Sequence, residues 1–349
     1  MANTLDYVDR YGHLKFERKA FNDVDNLVFS LLSYLDFSEC NIGNDGATVE
    51  QMGRHFLMHH TYKQQRAKGI AQGDAYLLLE KVVEADRYRN IVVTDYIYNT
   101  NRRMMFSAMV FHITRRLDYI AFEGTDEQIS GWREDFELAH TFPVPSQIEA
   151  IKYVNEHTHF FGPKVIIGGH SKGGNLALVG AMKMKRIKWL KVQKVYNNDG
   201  PGLRKAEFES DEYERVKTKY AHIVPHCSIV GMMMRNDTYR VVQSDKENIL
   251  GHSILTWQVS GDHLVRGARS EHSKEIERRL WHWLDTHNDE QRKKVTDAVF
   301  GTIEGCNITD TMSLAKLKNI VNLIKRANEL DKESRDLVLG LLKDVATKA

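Results

Sequence analysis

The amino-acid sequence predicts an α/β fold with a mainly parallel sheet, and three observations carry that expectation. Helical and strand-like segments alternate from residue 146 to 225. A glycine-rich bend, GGHSKGG, joins a short β-branched run to a helix. Hydrophobic residues make up 42% of the 349, enough for a large buried core. Taken in order, the first hundred residues read as mainly helical. Residues 23–36 place Val24, Leu27, Val28, Leu31, Leu32 and Leu35 on one wide helical face. A second helix is expected over 48–60, and a third from Asp74, read as an N-cap before AYLLLEKVVEA. Residues 105–113 and 117–122 read as an antiparallel hairpin. There follow a helix over 146–157, a strand over 164–168, a helix over 174–185 and a strand over 192–197. A helix over 205–217 and a strand over 221–225 complete the alternation. Two further strand-like runs are expected at 239–243 and 256–259, and helix after Glu271. Residues 1–288 are expected to form the main domain, with 1–100 as its helical N-terminal part. Residues 289–349 form a helical extension, in which Leu314, Leu317, Ile320, Val321 and Ile324 share one face. That face would cover the main domain or meet a second copy in a homo-oligomer.

Composition narrows the partners. Lys and Arg total 49 against 47 Asp and Glu, a net charge of +2, which gives no reason to expect nucleic acid or an anionic membrane as the main partner. Three cysteines, Cys40, Cys227 and Cys306, lack metal-type spacing and do not suit a disulfide scaffold. With neither a signal peptide nor a membrane span legible, a cytoplasmic location is expected. His55 and His59 stand at i, i+4, but Phe56 occupies the place of a zincin glutamate, so no metal is expected.

The chemistry concentrates in KVIIGGHSKGGNLA, residues 164–177. Gly169-His170-Ser171-Lys172-Gly173 fits the G-x-S-x-G nucleophile elbow, with strand before it and helix after. A serine on so tight a bend needs small neighbours, because backbone must pass close to it. The bend lifts the hydroxyl above the sheet, beside the unpaired N–H groups of a helix N-terminus. His170 is expected to point away from the nucleophile and serve structure.

This segment resembles the elbow of the α/β-hydrolase superfamily, and YIAFEGTDEQISGWREDFELA resembles the oxyanion-side segment of class 3 lipases. There Phe122-Glu123-Gly124-Thr125 takes the strand-end place, with Trp132 and Asp135 downstream. The sequence is most similar to an uncharacterised bacterial family placed among the α/β-hydrolases. It shares FNDVDNLVFSLLSYLDF, GHSKGGNLA, YNNDGPG, IVPHCSIVGMMM and a later His-Ser-x-x-x-Trp-Gln-Val, over roughly residues 5–290. The resemblance implies an α/β-hydrolase fold and leaves the substrate open. Two departures, Lys172 for an apolar residue and Glu123 for an arginine, weaken the implied case for triglyceride-type substrates.

A serine nucleophile needs a base and an acid that orients it, and in this fold the chain order is Ser, Asp or Glu, His. His252 is the expected base: it sits in a loop, Leu250-Gly251-His252-Ser253, and it begins the family's His-Ser-x-x-x-Trp segment. His263 and His226 stand behind it. Asp199, ending a strand at a turn-rich loop, is the first choice of acid, with Asp237 and Asp245 as alternatives. Class 3 lipases place their acid after the following strand, where this sequence has Pro225-His226-Cys227-Ser228-Ile229-Val230 and no carboxylate. The oxyanion donors expected are the backbone N–H of Lys172 and, by resemblance to class 3 lipases, Thr125. The expectation is a lipase- or esterase-like serine hydrolase of small ester, thioester or lipid substrates, without cofactor, forming an acyl-enzyme on Ser171. Its rivals are a non-catalytic interaction module of the same fold, which the ambiguous acid favours, and an acyltransferase or lysophospholipase using the same site.

Overall fold

The computed structural model describes residues 1–40, 42–43, 45–101, 104–125, 129–305, 331–336 and 339. An eight-stranded sheet organises them, and its spatial order follows the chain. The strands are β1 (Ala47–Thr48), β2 (Val92–Asn101), β3 (Met104–Thr114), β4 (Leu117–Phe122), β5 (Lys164–His170), β6 (Val192–Asn198), β7 (Tyr220–Pro225) and β8 (Arg240–Val242). From β1 to β4 the pairing is antiparallel; from β4 to β8 it is parallel. The expected α/β class with a mainly parallel sheet is therefore the one observed.

Helices on the N-terminal side are α1 (Thr4–Tyr11), α2 (Asp23–Leu32), α3 (Val49–His59), α4 (Tyr62–Lys68) and α5 (Ile70–Val82). They are followed by α6 (Ile129–Glu137), α7 (Pro145–Glu156), α8 (Lys172–Met182), α9 (Arg186–Trp189), α10 (Lys205–Phe208), α11 (Asp211–Lys217), α12 (Glu271–Thr286) and α13 (Asp289–Gly305). Because every parallel connection steps the same way across the sheet, the crossover helices α7, α8 and α11 share one face. Ile120, Phe122, Val165, Ile167 and Val195 point to that face and pack on Val154, Leu178, Val179 and Val216. The alternate residues Tyr119, Ala121, Ile166 and Tyr196 point to the other face, which α2 and α5 cover with Leu27, Val28, Leu31 and Leu79. The N-terminal helices thus complete a three-layer stack rather than stand beside the sheet.

That second layer is tied by a buried ion pair. Arg87 meets Asp25 with two bonds, Nε to Oδ1 at 2.8 Å and a terminal nitrogen to Oδ2 at 2.6 Å, and both side chains are fully buried. Tyr88 also donates to Asp25, at 2.7 Å, and Arg87 donates to the carbonyls of Leu14 and Lys19. Removing one partner leaves the other charge buried and uncompensated. Arg87→Met should therefore lower the free energy of unfolding by about 3–5 kcal/mol in urea titration. A loss below about 1 kcal/mol would contradict this account of the layer.

Several expectations need correction. Asp74 does not cap a helix: α5 begins at Ile70 behind Gly69, and Asp74 lies within it, accepting from the Ser253 hydroxyl. The helix expected over 205–217 is two, because the Ser210 hydroxyl accepts from Tyr213 N–H and starts a new one. Strand β2 was not expected. Residues 256–259 fold as the end of a 3-10 turn, Ile254–Thr256, leading to a two-residue strand, Val259–Ser260. The apolar face at 314–324 lies outside the described residues, as does the similar helical rhythm that the sequence predicts for Leu337, Val338, Leu341, Leu342 and Val345.

Candidate active site

Register brings the chemistry to one edge. Phe122 pairs with Gly169, and Gly169 and His170 with Asn197 and Asn198, so three strands end level. The loops after β4, β5 and β6 leave side by side at the carboxyl ends, where open α/β sheets place ligands.

Ser171 occupies the bend between β5 and α8 with φ 57° and ψ −134°, a conformation costly for any residue but glycine. Two close approaches explain its glycine neighbours. A Cβ on Gly173 would stand 2.2 Å from the Phe122 carbonyl oxygen, and one on Gly200 would stand 2.0 Å from the carbonyl oxygen of Ser171 itself. Ser171 N–H donates to the Asn198 carbonyl at 2.9 Å, which hangs the bend on β6. Among the described residues the Ser171 hydroxyl has no hydrogen-bond partner.

Asp199 and His252 meet beside this bend. His252 Nδ1 lies 2.7 Å from Asp199 Oδ2. The other carboxylate oxygen accepts from the Ser228 hydroxyl and from Gly231 N–H at 3.2 Å. Ser228 and Gly231 belong to the loop after β7, whose first residues, 226–230, carry no carboxylate, and there they brace the one from β6. Burial pushes the Asp199 carboxyl above the usual carboxylate range, and its bonds to His252, Ser228 and Gly231 pull the other way. Asn197 fixes the turn behind it, accepting from Gly200 N–H at 2.7 Å and donating to the Pro201 carbonyl.

The other candidates are placed elsewhere. Asp237 bonds Tyr213 and Lys217, and Asp245 bonds the chain's amino terminus and Gln258. His263 is 82% exposed beside Asp262, and His226 faces Glu247 at 3.0 Å. His226, Cys227 and Glu247 are close enough to share a metal ion, with ligand atoms within 4.8 Å. Yet Ser244 N–H donates to His226 Nδ1, so the ring proton sits on Nε2 towards Glu247, while the Cys227 thiol donates to the Lys246 carbonyl.

His170 has a larger part than its place in the motif suggests. Its Nε2 donates to the His252 carbonyl at 2.8 Å, and its ring packs 4.3 Å from the His252 ring. Nδ1 accepts from the Tyr34 hydroxyl at 2.8 Å. Nδ1 can accept only in the neutral ring, and burial lowers the His170 pKa well below its ordinary value. The residue before Ser171 therefore fastens the loop of His252, while Asp74 holds Ser253 on the next position. If Ser171 carries ester hydrolysis, His170→Phe, which keeps a ring but loses the donor, should slow turnover at least about tenfold with little change in KM. Slower but detectable fluorophosphonate labelling would accompany it; parental turnover in that variant would remove His170 from any positioning role.

On the other side, Gly124 packs against the His170 carbonyl, which sets Thr125 beside the elbow. The Thr125 hydroxyl donates its proton to Asp135 Oδ2 at 2.6 Å, so its N–H is the group left for a ligand. Lys172 is buried and pairs with Glu134, with Asp135 at 4.0 Å. Glu134 also accepts from Ser146 N–H, so α6 is riveted both to Lys172 and to α7. Burial raises the Asp135 carboxyl to about 6, against the pull of Lys172 and Thr125. Glu134 carried no sequence signal, since its partner is 38 residues away.

Fold and site together define an α/β protein with a serine elbow and a histidine–carboxylate pair at the strand ends. The model of the Mbeg1-like family matches residues 82–301, and the chain belongs to that family. No curated protein matches it. Among solved structures it is similar to a fungal lipase in an inhibitor complex, at 14% identity and a TM-score of 0.39, covering 64% of this chain and 80% of that one. It is also similar to the M37 lipase, at 16% identity and 0.36, over 74% of this chain and 80% of that one. The Rhizomucor miehei lipase propeptide complex aligns at 13% identity and 0.38, over 63% and 68%.

Proposed function

We propose that the protein is a serine hydrolase of the α/β-hydrolase type that cleaves carboxylic ester or thioester bonds through an acyl-enzyme on Ser171. The reading rests above all on one observation, the 2.7 Å contact of Asp199 with His252 Nδ1 beside the strained Ser171 bend. An ionised Asp199 accepts the hydrogen bond of Nδ1–H and leaves the Nε2 lone pair as base. Nucleophile–base contacts are often loose without substrate and tighten when it binds, which suits the unpartnered Ser171 hydroxyl.

In the forward step Nε2 takes the Ser171 proton as Oγ bonds to the substrate carbonyl carbon. The oxygen becomes an oxyanion facing the N–H groups of Lys172 and Thr125. His252 then returns the proton to the departing alkoxide or thiolate, and the carbonyl re-forms as the acyl-enzyme. A water, deprotonated by the same nitrogen, releases the acid and restores Ser171. No cofactor enters these steps.

A fluorophosphonate probe tests the reading. Labelling of the folded protein, mapped to Ser171 and competed by a short p-nitrophenyl ester, is the result expected. Folded protein that resists the probe would overturn it and leave the interaction module standing.

A further inference from the structure

The end of the sheet opposite Ser171 carries a surface that the proposed chemistry does not use. The segments entering β5 and β6 lie side by side there. Lys164 Nζ donates to the Leu190 carbonyl at 3.0 Å, and Asn155 accepts from Lys185 N–H at 3.0 Å and from Lys188 Nζ. Along this seam Phe160, Phe161, Ile187 and Leu190 are exposed, Phe161 by 96%. The two phenylalanine rings stand edge to face, 5.0 Å apart, and turn to solvent together.

Charge along these two segments is positive, with Glu156 exposed just before the first of them and Asp95 3.4 Å from His157. Residues 157–164 and 183–194 hold seven lysines and arginines and no carboxylate, in a chain whose net charge is only +2. Lys183 and Lys194 pair with Glu212 and Asp23. Lys164, Lys185, Arg186, Lys188 and Lys191 form no ion pair among the described residues.

Exposed aromatic rings ringed by unpaired cations match the boundary of an anionic bilayer, where rings sit at headgroup depth and cations meet lipid phosphates. A protein partner would have to supply an acidic rim around an apolar patch of this modest size. We propose that this end of the molecule is a docking surface for an anionic lipid bilayer. Seven residues of β5 separate it from Ser171, about 20 Å of strand, so docking turns the nucleophile away from the bilayer. The surface is independent of the hydrolase reading.

Co-sedimentation of the full chain with vesicles tests it, using phosphatidylcholine alone and equal parts phosphatidylcholine and phosphatidylglycerol. Binding is expected to the anionic vesicles only and to weaken with added salt. Phe160→Ser with Phe161→Ser, and separately Lys185→Gln with Arg186→Gln, should each reduce it about tenfold. Thermal midpoint and fluorophosphonate labelling should stay at the parental level in both. Failure to bind anionic vesicles, equal binding to neutral ones, or binding unchanged by either double variant would overturn the proposal. So would a solution dimer that the phenylalanine variant dissociates without any vesicle binding, which would reassign the patch to a second copy. Absence of labelling in the parent would count against the hydrolase alone.

Discussion

Ser171→Ala should abolish ester hydrolysis, by a factor of about 10⁴ or more, and leave the thermal midpoint nearly where it was. The first half follows from the mechanism: without Oγ there is no acyl-enzyme, and only the oxyanion donors and substrate binding remain. The second half follows from the structure. The hydroxyl has no hydrogen-bond partner among the described residues, so its removal strands no polar group. Alanine keeps the backbone strain of φ 57°, and glycine would release it. Ser171→Gly should accordingly be as inactive as Ser171→Ala yet more stable, by about 1 kcal/mol after the entropy that glycine adds to the unfolded chain. Hydrolysis by either variant at parental rate would remove Ser171 as nucleophile. Equal stability of the alanine and glycine forms would mean that the bend is not strained.

What could be seen in the sequence was what sterics writes locally. The elbow announced itself because close backbone contacts at Gly169 and Gly173 admit no side chain, and such positions leave glycines at fixed offsets. The crossover helices and parallel strands were legible because burial on both faces makes their apolar runs dense. Strand β2 was missed for the opposite reason. After Val93 it rises out of the core, residues Ile97 to Thr100 are exposed, and no alternation marks it. Asp74 looked like a cap because an acid preceded an apolar run. Its actual partner, Ser253, is 179 residues distant. Long-range pairing likewise kept the acid open among Asp199, Asp237 and Asp245. No local pattern says that the loop after β7 will supply Ser228 and Gly231 to hold Asp199, or that His170 will fasten the loop of His252. Such contacts belong to tertiary structure, and a single sequence records the residue types without their distances.

Asp199→Asn is the sharper test of the site, because it changes one atom's chemistry and no shape. In the parent, Oδ1 accepts hydrogen bonds from the Ser228 hydroxyl and Gly231 N–H while Oδ2 accepts one from His252 Nδ1–H. Asparagine has one oxygen for these three donors. Two of them lie on the Oδ1 side, so the amide oxygen turns there and its NH₂ faces His252. A donor facing Nδ1 forces the ring proton onto Nε2, the nitrogen that must receive the proton of Ser171. Turnover should therefore fall by about 10⁴, with KM little changed and fluorophosphonate labelling slowed in proportion. Stability should move the other way with pH. Burial raises the Asp199 pKa in the folded chain above its unfolded value, so the parent loses stability as pH rises through that value. The uncharged asparagine has no such slope, and the gap in thermal midpoint should shift in the variant's favour as pH increases. A loss of turnover below about tenfold would show that Asp199 is not the orienting acid, because a wrong tautomer cannot be so nearly harmless.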